Sequence, residues 1–417
     1  MPGQQRMIRS ETGILSGLRV VEGSAFVAAP LGGMTLAQLG ADIIRFDPLG
    51  GGLDFKRWPI TESGASLFWD GLNKGKRSIQ IDIRQPKAQE ILTELIAQPG
   101  DNRGLFLTNF PAVGWLAYEK LAARRQDLIY VNVLGDRQGG SAVDYTVNCA
   151  VGFADATGHP ASTDPVNALL PAWDNITGQM AATALLAAER YRSRSSQGQY
   201  VALALKDVAM AAAGHLGNLA EVEINNADRE KTGNYLFGAF GKDFLTRDGR
   251  RMMIVGLTPK QWRGLIQATQ TEESMTQLAS SLSLNFDHEG ARFMAREDIY
   301  QLLEPWFSSR TYADITPQLD QAGVCYGPYR TFRGLVEEDP DCSELNPLFE
   351  RVHHPNTGTY LTPSSPIRFG AGGNLGALSA PRLGQHTDQI LAEELGLSSG
   401  QIGRLHDEGV VRQAKEN

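Results

Sequence analysis

The chain has 417 residues, of which 42% are hydrophobic and 21% charged, and a formal net charge of −8; this is the make-up of a globular protein, too long for one simple core and therefore expected to form two domains. The acidic balance excludes nucleic acid as a partner, and no apolar run nears the ~20 residues that span a bilayer, so no membrane partner is expected. Three widely spaced cysteines, Cys149, Cys325 and Cys342, suit free thiols in a reducing cytoplasm, and the polar residues 1–12 lack the apolar stretch of a signal peptide.

In chain order, residues 18–21 read as a buried strand. Next come a turn through Gly23 and Ser24, a helix over 30–39, a stop at Gly40 and a strand over 41–46. Pro30 in the first turn and Gly40 after the last match the usual helix start and stop. Further strands are expected at 78–83, 105–108, 129–134 and 200–205, with helices at 86–97 and 177–192 between them. Alternation of this kind implies an α/β fold built on an open, mostly parallel, Rossmann-like sheet with helices on both faces. Ligands of such sheets bind beyond the carboxyl ends of the strands, where the strand order switches.

After a polar linker at 225–234 the pattern changes. Two strands, 240–245 and 251–257, flank the turn signal Arg247-Asp248-Gly249, and helices follow at 260–268 and 297–307. The expected division is a large domain over 1–229, a smaller α+β domain over 230–328, and a return to the large domain over 329–417 that ends in a helix at 387–395. The large domain is therefore discontinuous in sequence.

The segment with most chemical content is Pro171-Ala-Trp-Asp174-Asn-Ile-Thr-Gly178. A carboxylate here opens an Ala/Leu-rich helix, beside backbone N–H groups that have no helical partner and at the positive end of the helix dipole. It is either a fixed, ionised nucleophile or a helix N-cap, a task for which Asp is a preferred residue. The turn after the first strand carries glycines at the wrong spacing for G-x-G-x-x-G, with Phe26 and Val27 adding bulk, so nicotinamide binding is not expected. The seven histidines are scattered, and no metal site is assigned.

Five segments together resemble the class III CoA-transferase (CaiB/BaiF) family: residues 18–45, with Leu18-Arg-Val-Val-Glu-Gly and Gly40-Ala-Asp; 72–79, Leu72-Asn-Lys-Gly-Lys-Arg-Ser-Ile; Thr108-Asn109-Phe110; the Asp174 helix with the following Gly198-Gln199 strand; and 380–391, Ala380-Pro-Arg-Leu-Gly-Gln-His. The family's nucleophile is an Asp opening the helix before such a strand, and Asp174 occupies that place. The resemblance further implies that Phe26, Val27 and Ala28 meet the CoA thiol arm through backbone groups. It places Ile81 and Phe110 beside the nucleotide with Asn109 hydrogen-bonding near it, and makes Lys76, Arg77 and Arg84 candidates for the phosphates. For each cation the competing reading is a solvated surface charge, and for Ile81 and Phe110 plain core.

One branch of the family is nearer than the rest, through 21–33, 46–52, 170–174 and 233–241. In that branch CoA moves between the two carboxyl ends of one C5 dicarboxylic acid, so the expected partner is an acyl-CoA thioester of such an acid. No separate cofactor is expected, since CoA travels as part of the substrate. Intermolecular transfer to formate, oxalate or succinate is the alternative, followed by an epimerase that would need a His near Asp174. An interlocked homodimer is implied by the family alone. The substrate's free carboxylate needs a cation or several donors, and the sequence does not choose among Arg45, Lys56, Arg57 and others.

Overall fold

The computed structural model describes residues 13–414; residues 1–12 and 415–417 lie outside them. The chain forms two compact units. The large unit takes the chain up to residue 151, then 168–217, then from 340 onwards; the small unit takes 152–167 and 218–339. The excursion 152–167, placed in the large domain by the sequence, joins the small unit through bonds such as Gly233 N–H to the Gly158 carbonyl at 3.0 Å. No local pattern announces that pairing.

The large unit is built on seven strands: β1 (Arg19–Gly23), β2 (Asp42–Asp47), β3 (Arg77–Ile81), β4 (Leu105–Thr108), β5 (Ile129–Leu134) and β6 (Gln199–Ala204), with β12 (Val411–Arg412) at one edge. Their order is β12-β3-β2-β1-β4-β5-β6, all parallel except β12. The order reverses between β1 and β4, which opens a crevice at their carboxyl ends. β1 to β5 are buried on both faces; β4 and β5 read as nearly continuous apolar runs, whereas β1 to β3 carry buried polar residues such as Glu22, Arg45 and Gln80. One face is covered by helices Pro86–Ile96, Thr387–Leu395 and Ser399–Asp407, the other by Ala28–Gln38 and Ala172–Ser195.

His386 ties the returning chain to β3. Its Nδ1 accepts the Ser78 N–H at 3.1 Å while its own N–H donates to the Ser78 carbonyl at 2.9 Å. A separate hairpin, β10 (Phe349–His354) with β11 (Gly358–Pro363), precedes it.

The small unit holds the antiparallel sheet β7 (Phe240–Leu245), β8 (Arg251–Gly256), β9 (Cys325–Pro328). Helices Pro259–Thr269, Arg296–Ser308 and Tyr312–Ala322 supply the other half of its core, around Phe244, Trp262, Leu265, Ile299, Leu303 and Phe307.

Candidate active site

Helix Ala172–Ser195 begins five residues before the expected Thr177, so Asp174 sits inside its first turn. The N-cap is Pro171, which has no polar side chain to offer. Asp174 does not cap the helix either. That task falls to Asp144, heading helix Asp144–Ala150, whose carboxylate accepts the Asp174 N–H at 3.0 Å and also the Trp173 N–H. The Trp173 indole donates to Asn148 Oδ1 at 3.1 Å, fixing the same turn from the side. Among the described residues nothing donates a hydrogen bond to the Asp174 carboxylate. The N-cap reading of Asp174 is thereby replaced: another acid neutralises the helix start, and the Asp174 oxygens are left available.

Burial, and after it the charge of Asp144, pushes the Asp174 carboxyl up to about 6, with Arg57 pulling the other way. At neutral pH it remains mostly ionised while being a stronger base, hence a better nucleophile, than an ordinary aspartate. The two groups that act on it are a carboxylate and a guanidinium, with no imidazole among them.

A close helix crossing brings this turn to the β1 crevice. A Cβ on Gly178 would lie 2.7 Å from the Ala28 carbonyl oxygen, and one on Gly32 would lie 3.0 Å from the Gly178 carbonyl oxygen. Backbone meets backbone there, which only glycine permits. The loop on the other side, after β1, is held by two carbonyl-and-amide pairings. Asn109 Oδ1 accepts the Ala25 N–H at 3.0 Å and its Nδ2 donates to the Ala25 carbonyl at 2.8 Å. The Phe26 N–H donates to Asp54 Oδ2 at 3.1 Å, and Phe26 itself has φ +67°, a left-handed conformation that a bulky residue keeps only when its surroundings enforce it.

Beneath this loop lies a buried charge network. Arg45, 1% exposed, grips Asp47 with two bonds of 2.9 Å, reaches Asp54 at 3.1 Å and Asn73 at 3.1 Å. The ammonium of Lys76 donates to Glu22 at 2.8 Å, the Pro30 carbonyl at 2.8 Å and Asn73 at 2.9 Å. Every donor of Lys76 is matched, while one Glu22 carboxylate oxygen (Oε2) is buried without a hydrogen-bond partner among the described residues.

Past Phe26 the chain enters helix Ala28–Gln38, whose first backbone bond is Leu31 N–H to the Val27 carbonyl at 2.8 Å. The amides of Val27, Ala28 and Ala29 have no acceptor among the described residues. A helix start with unpaired amides attracts negative charge.

The match of a family model across residues 15–387 decides the affiliation; its description is CoA-transferase family III. The chain belongs to that family. It is 60% identical to the 2-methylfumaryl-CoA isomerase of Chloroflexus aurantiacus, over 96% of this chain and 98% of that one. It is 28% identical to the succinyl-CoA–D-citramalate CoA-transferase of the same organism, over 95% and 98%. A CAIB/BAIF family protein from Brucella suis has the same fold, with a TM-score of 0.75 at 25% identity, covering 92% of this chain and 99% of that one.

Within this family-III fold six of the nine residues expected to bind CoA stand on the carboxyl side of the large sheet, in three groups. Phe26, Val27 and Ala28 line the turn that faces the Asp174 helix, and Asn109 braces that turn from β4. Phe110 packs half-buried, edge-on to Phe46 at 6.1 Å, beside the same crevice. Arg84 stands past the carboxyl end of β3, 85% exposed, bonded to Asp82 at 2.8 Å.

Three of the residues lie elsewhere. Lys76 has every ammonium donor committed inside the network. Arg77 is at the amino end of β3, paired with Asp42 and Glu394 (2.6 Å), the wrong end of the sheet for a ligand. Ile81 is fully buried in the core.

Asp144 and Asp54 were not singled out from sequence as parts of the site, and Arg45, a candidate for the substrate's free carboxylate, is instead committed to Asp47, Asp54 and Asn73. Asp144 stands 30 positions from the turn it caps, and nothing in its own neighbourhood points across that gap. Among the described residues no cluster of three or more His, Cys, Asp or Glu is gathered as a metal ion would require, and no helix is long and apolar enough to cross a membrane.

Proposed function

We propose that the protein transfers CoA within 2-methylfumaryl-CoA, from the C1 to the C4 carboxyl of mesaconate. The observation that carries the reading is an ionised, half-buried Asp174 that accepts no hydrogen bond, at a helix start capped by a different acid, in a chain 60% identical to an isomerase of that name.

An Asp174 oxygen attacks the thioester carbonyl, the C–S bond breaks, and CoA leaves as thiolate, giving a mixed anhydride. The thiolate attacks the Asp174 carbonyl carbon, the anhydride C–O bond breaks, and aspartyl-CoA and mesaconate dianion result. The C4 carboxylate then attacks the aspartyl thioester and expels thiolate. Thiolate attack at C4 releases 3-methylfumaryl-CoA and restores the Asp174 carboxylate. No proton is consumed and no electron moves to an external acceptor, so the scheme calls on no cofactor beyond the CoA already on the substrate. Each attack builds an oxyanion, and the unpaired amides of Val27 and Ala28 are the donors that suit it.

The epimerase alternative needs a His paired with Asp174, and the groups whose charge acts on Asp174 are Asp144 and Arg57, with no His among them. Transfer to an external acid differs only in whether the freed diacid leaves. We also place the enzyme in the cytoplasm, supported by its free cysteines. We further read it as a homodimer: Leu216 is 68% exposed in one unit and Ile224 80% exposed in the other, apolar surface that a second copy would cover.

The test is incubation of purified protein with 2-methylfumaryl-CoA and no added acid. Formation of the isomeric thioester is expected, and absence of turnover until an external carboxylate is supplied would overturn the reading in favour of intermolecular transfer.

A further inference from the structure

A diacid thioester carries one carboxylate that is not joined to CoA, and a charge brought beside a half-buried carboxylate such as Asp174 needs a cation of its own. Most cations around the crevice are already spent. Arg45 is saturated by Asp47, Asp54 and Asn73, Lys76 by Glu22, Pro30 and Asn73, Arg77 by Asp42 and Glu394, and Arg84 is bonded to Asp82.

Arg57 is different. Its side chain is exposed, and among the described residues its guanidinium makes no hydrogen bond or ion pair. It is nonetheless held in place. The guanidinium carbon lies 5.7 Å from the centroid of the Phe26 ring and 5.2 Å from that of Phe68. Its backbone is fixed at both ends, the N–H donating to the Asp54 carbonyl at 3.0 Å and the carbonyl accepting the Ser66 hydroxyl at 2.5 Å.

Phe26 is the left-handed residue leading into the unpaired amides, so the cation stands over the turn that faces the nucleophile. Asp174 feels its charge without pairing with it. Aromatic faces orient a guanidinium and leave its planar fork open, and that fork matches a carboxylate bidentately. Lys56, the remaining candidate, is exposed but neither rests on these rings nor acts on Asp174.

Resting on the proposed function, we propose that Arg57 is the docking group for the substrate's free carboxylate. It selects dicarboxylic thioesters over monocarboxylic ones. It also retains the freed diacid as either end turns to meet aspartyl-CoA, which keeps the transfer intramolecular.

The test compares the full-length wild type with Arg57→Gln and Arg57→Lys. The substrate is 2-methylfumaryl-CoA, the competitive inhibitor is crotonyl-CoA, an enoyl thioester with no second carboxylate, and isotope-labelled mesaconate is present in the medium. Arg57→Gln is expected to raise KM roughly ten- to a hundredfold, while the Ki of crotonyl-CoA stays within about twofold. Arg57→Lys should fall between. Label should enter the thioester in Arg57→Gln and not in the wild type.

An unchanged KM in Arg57→Gln overturns the proposal. So does an equal loss of affinity for crotonyl-CoA, which would mean that the fold or the CoA arm had been damaged. A wild type that fails to isomerise the substrate refutes the proposed function first and this inference with it, and that outcome is visible before any variant is made.

Discussion

Asp174→Asn keeps the shape of the nucleophile and removes its charge, and the structure assigns opposite signs to the effects on activity and on stability. The carboxyl moves from 3.8 to about 6 on folding, through burial first and Asp144 second. At 1.36 kcal/mol per pKa unit this difference of about 2 units is worth roughly 3 kcal/mol, and partial exposure screens it to about 1–3 kcal/mol. Because the folded value lies above the unfolded one, the ionised group costs stability. That cost is complete above the folded pKa, shrinks as pH falls through it, and is gone below the unfolded value.

Asp174→Asn should therefore abolish isomerisation while raising the thermal midpoint of the large unit at about pH 7.5, with the gain vanishing near pH 4. Paired scans of circular dichroism at the two pH values give the comparison. A variant that is less stable than wild type at the higher pH would mean that the carboxylate is held by favourable contacts, and the reasoning about a free, desolvated nucleophile would be wrong.

Four further outcomes are expected. The kcat/KM profile should fall about tenfold per unit on the acid side, with its midpoint near the Asp174 pKa of about 6, because only the carboxylate attacks; a flat profile to about pH 5 would contradict this. Asp144→Ala strips the acceptor from the Asp174 and Trp173 amides and should cost roughly 1–3 kcal/mol in urea unfolding, whereas Asp144→Asn should keep most of the cap and shift the acid limb to lower pH. Gly178→Ala forces a Cβ against the Ala28 carbonyl and should cost about 1–3 kcal/mol, with kcat falling as Asp174 is displaced. Asn109→Ala removes both bonds to Ala25 and should raise KM for the thioester more than it lowers the melting temperature, since the loop and not the core is freed.

Periodicity made the large sheet legible: β4 and β5 end where the sequence places them, and β1 to β3 and β6 differ by a residue or two. Strands buried on both faces, bounded by glycine and proline, leave little ambiguity. Short helices such as Asp144–Ala150 and the two-residue β12 escaped, because neither is long enough to display a period; each owes its form to what it packs against.

The local text around Asp174 suits a cap or a nucleophile alike, and the family resemblance alone put it in the nucleophile's place. The distant Asp144 takes the cap and leaves the Asp174 oxygens without a donor. The cations were least legible. Lys76 and Arg77 are neighbours in a basic stretch that reads as phosphate-binding. Only the fold reveals that, at the amino end of β3, one points into Glu22 and the other into Asp42. The boundary of the small unit was blurred for a similar reason, in that 152–167 is assigned by bonds to residues some 70 positions away.

The central claim is that the Asp174 side chain becomes acylated during turnover. Quenching the working enzyme with hydroxylamine and mapping its peptides by mass spectrometry reads this out directly. A hydroxamate confined to the peptide carrying Asp174 is expected, dependent on thioester and missing in Asp174→Asn. An unmodified Asp174 peptide under conditions of full turnover would contradict it.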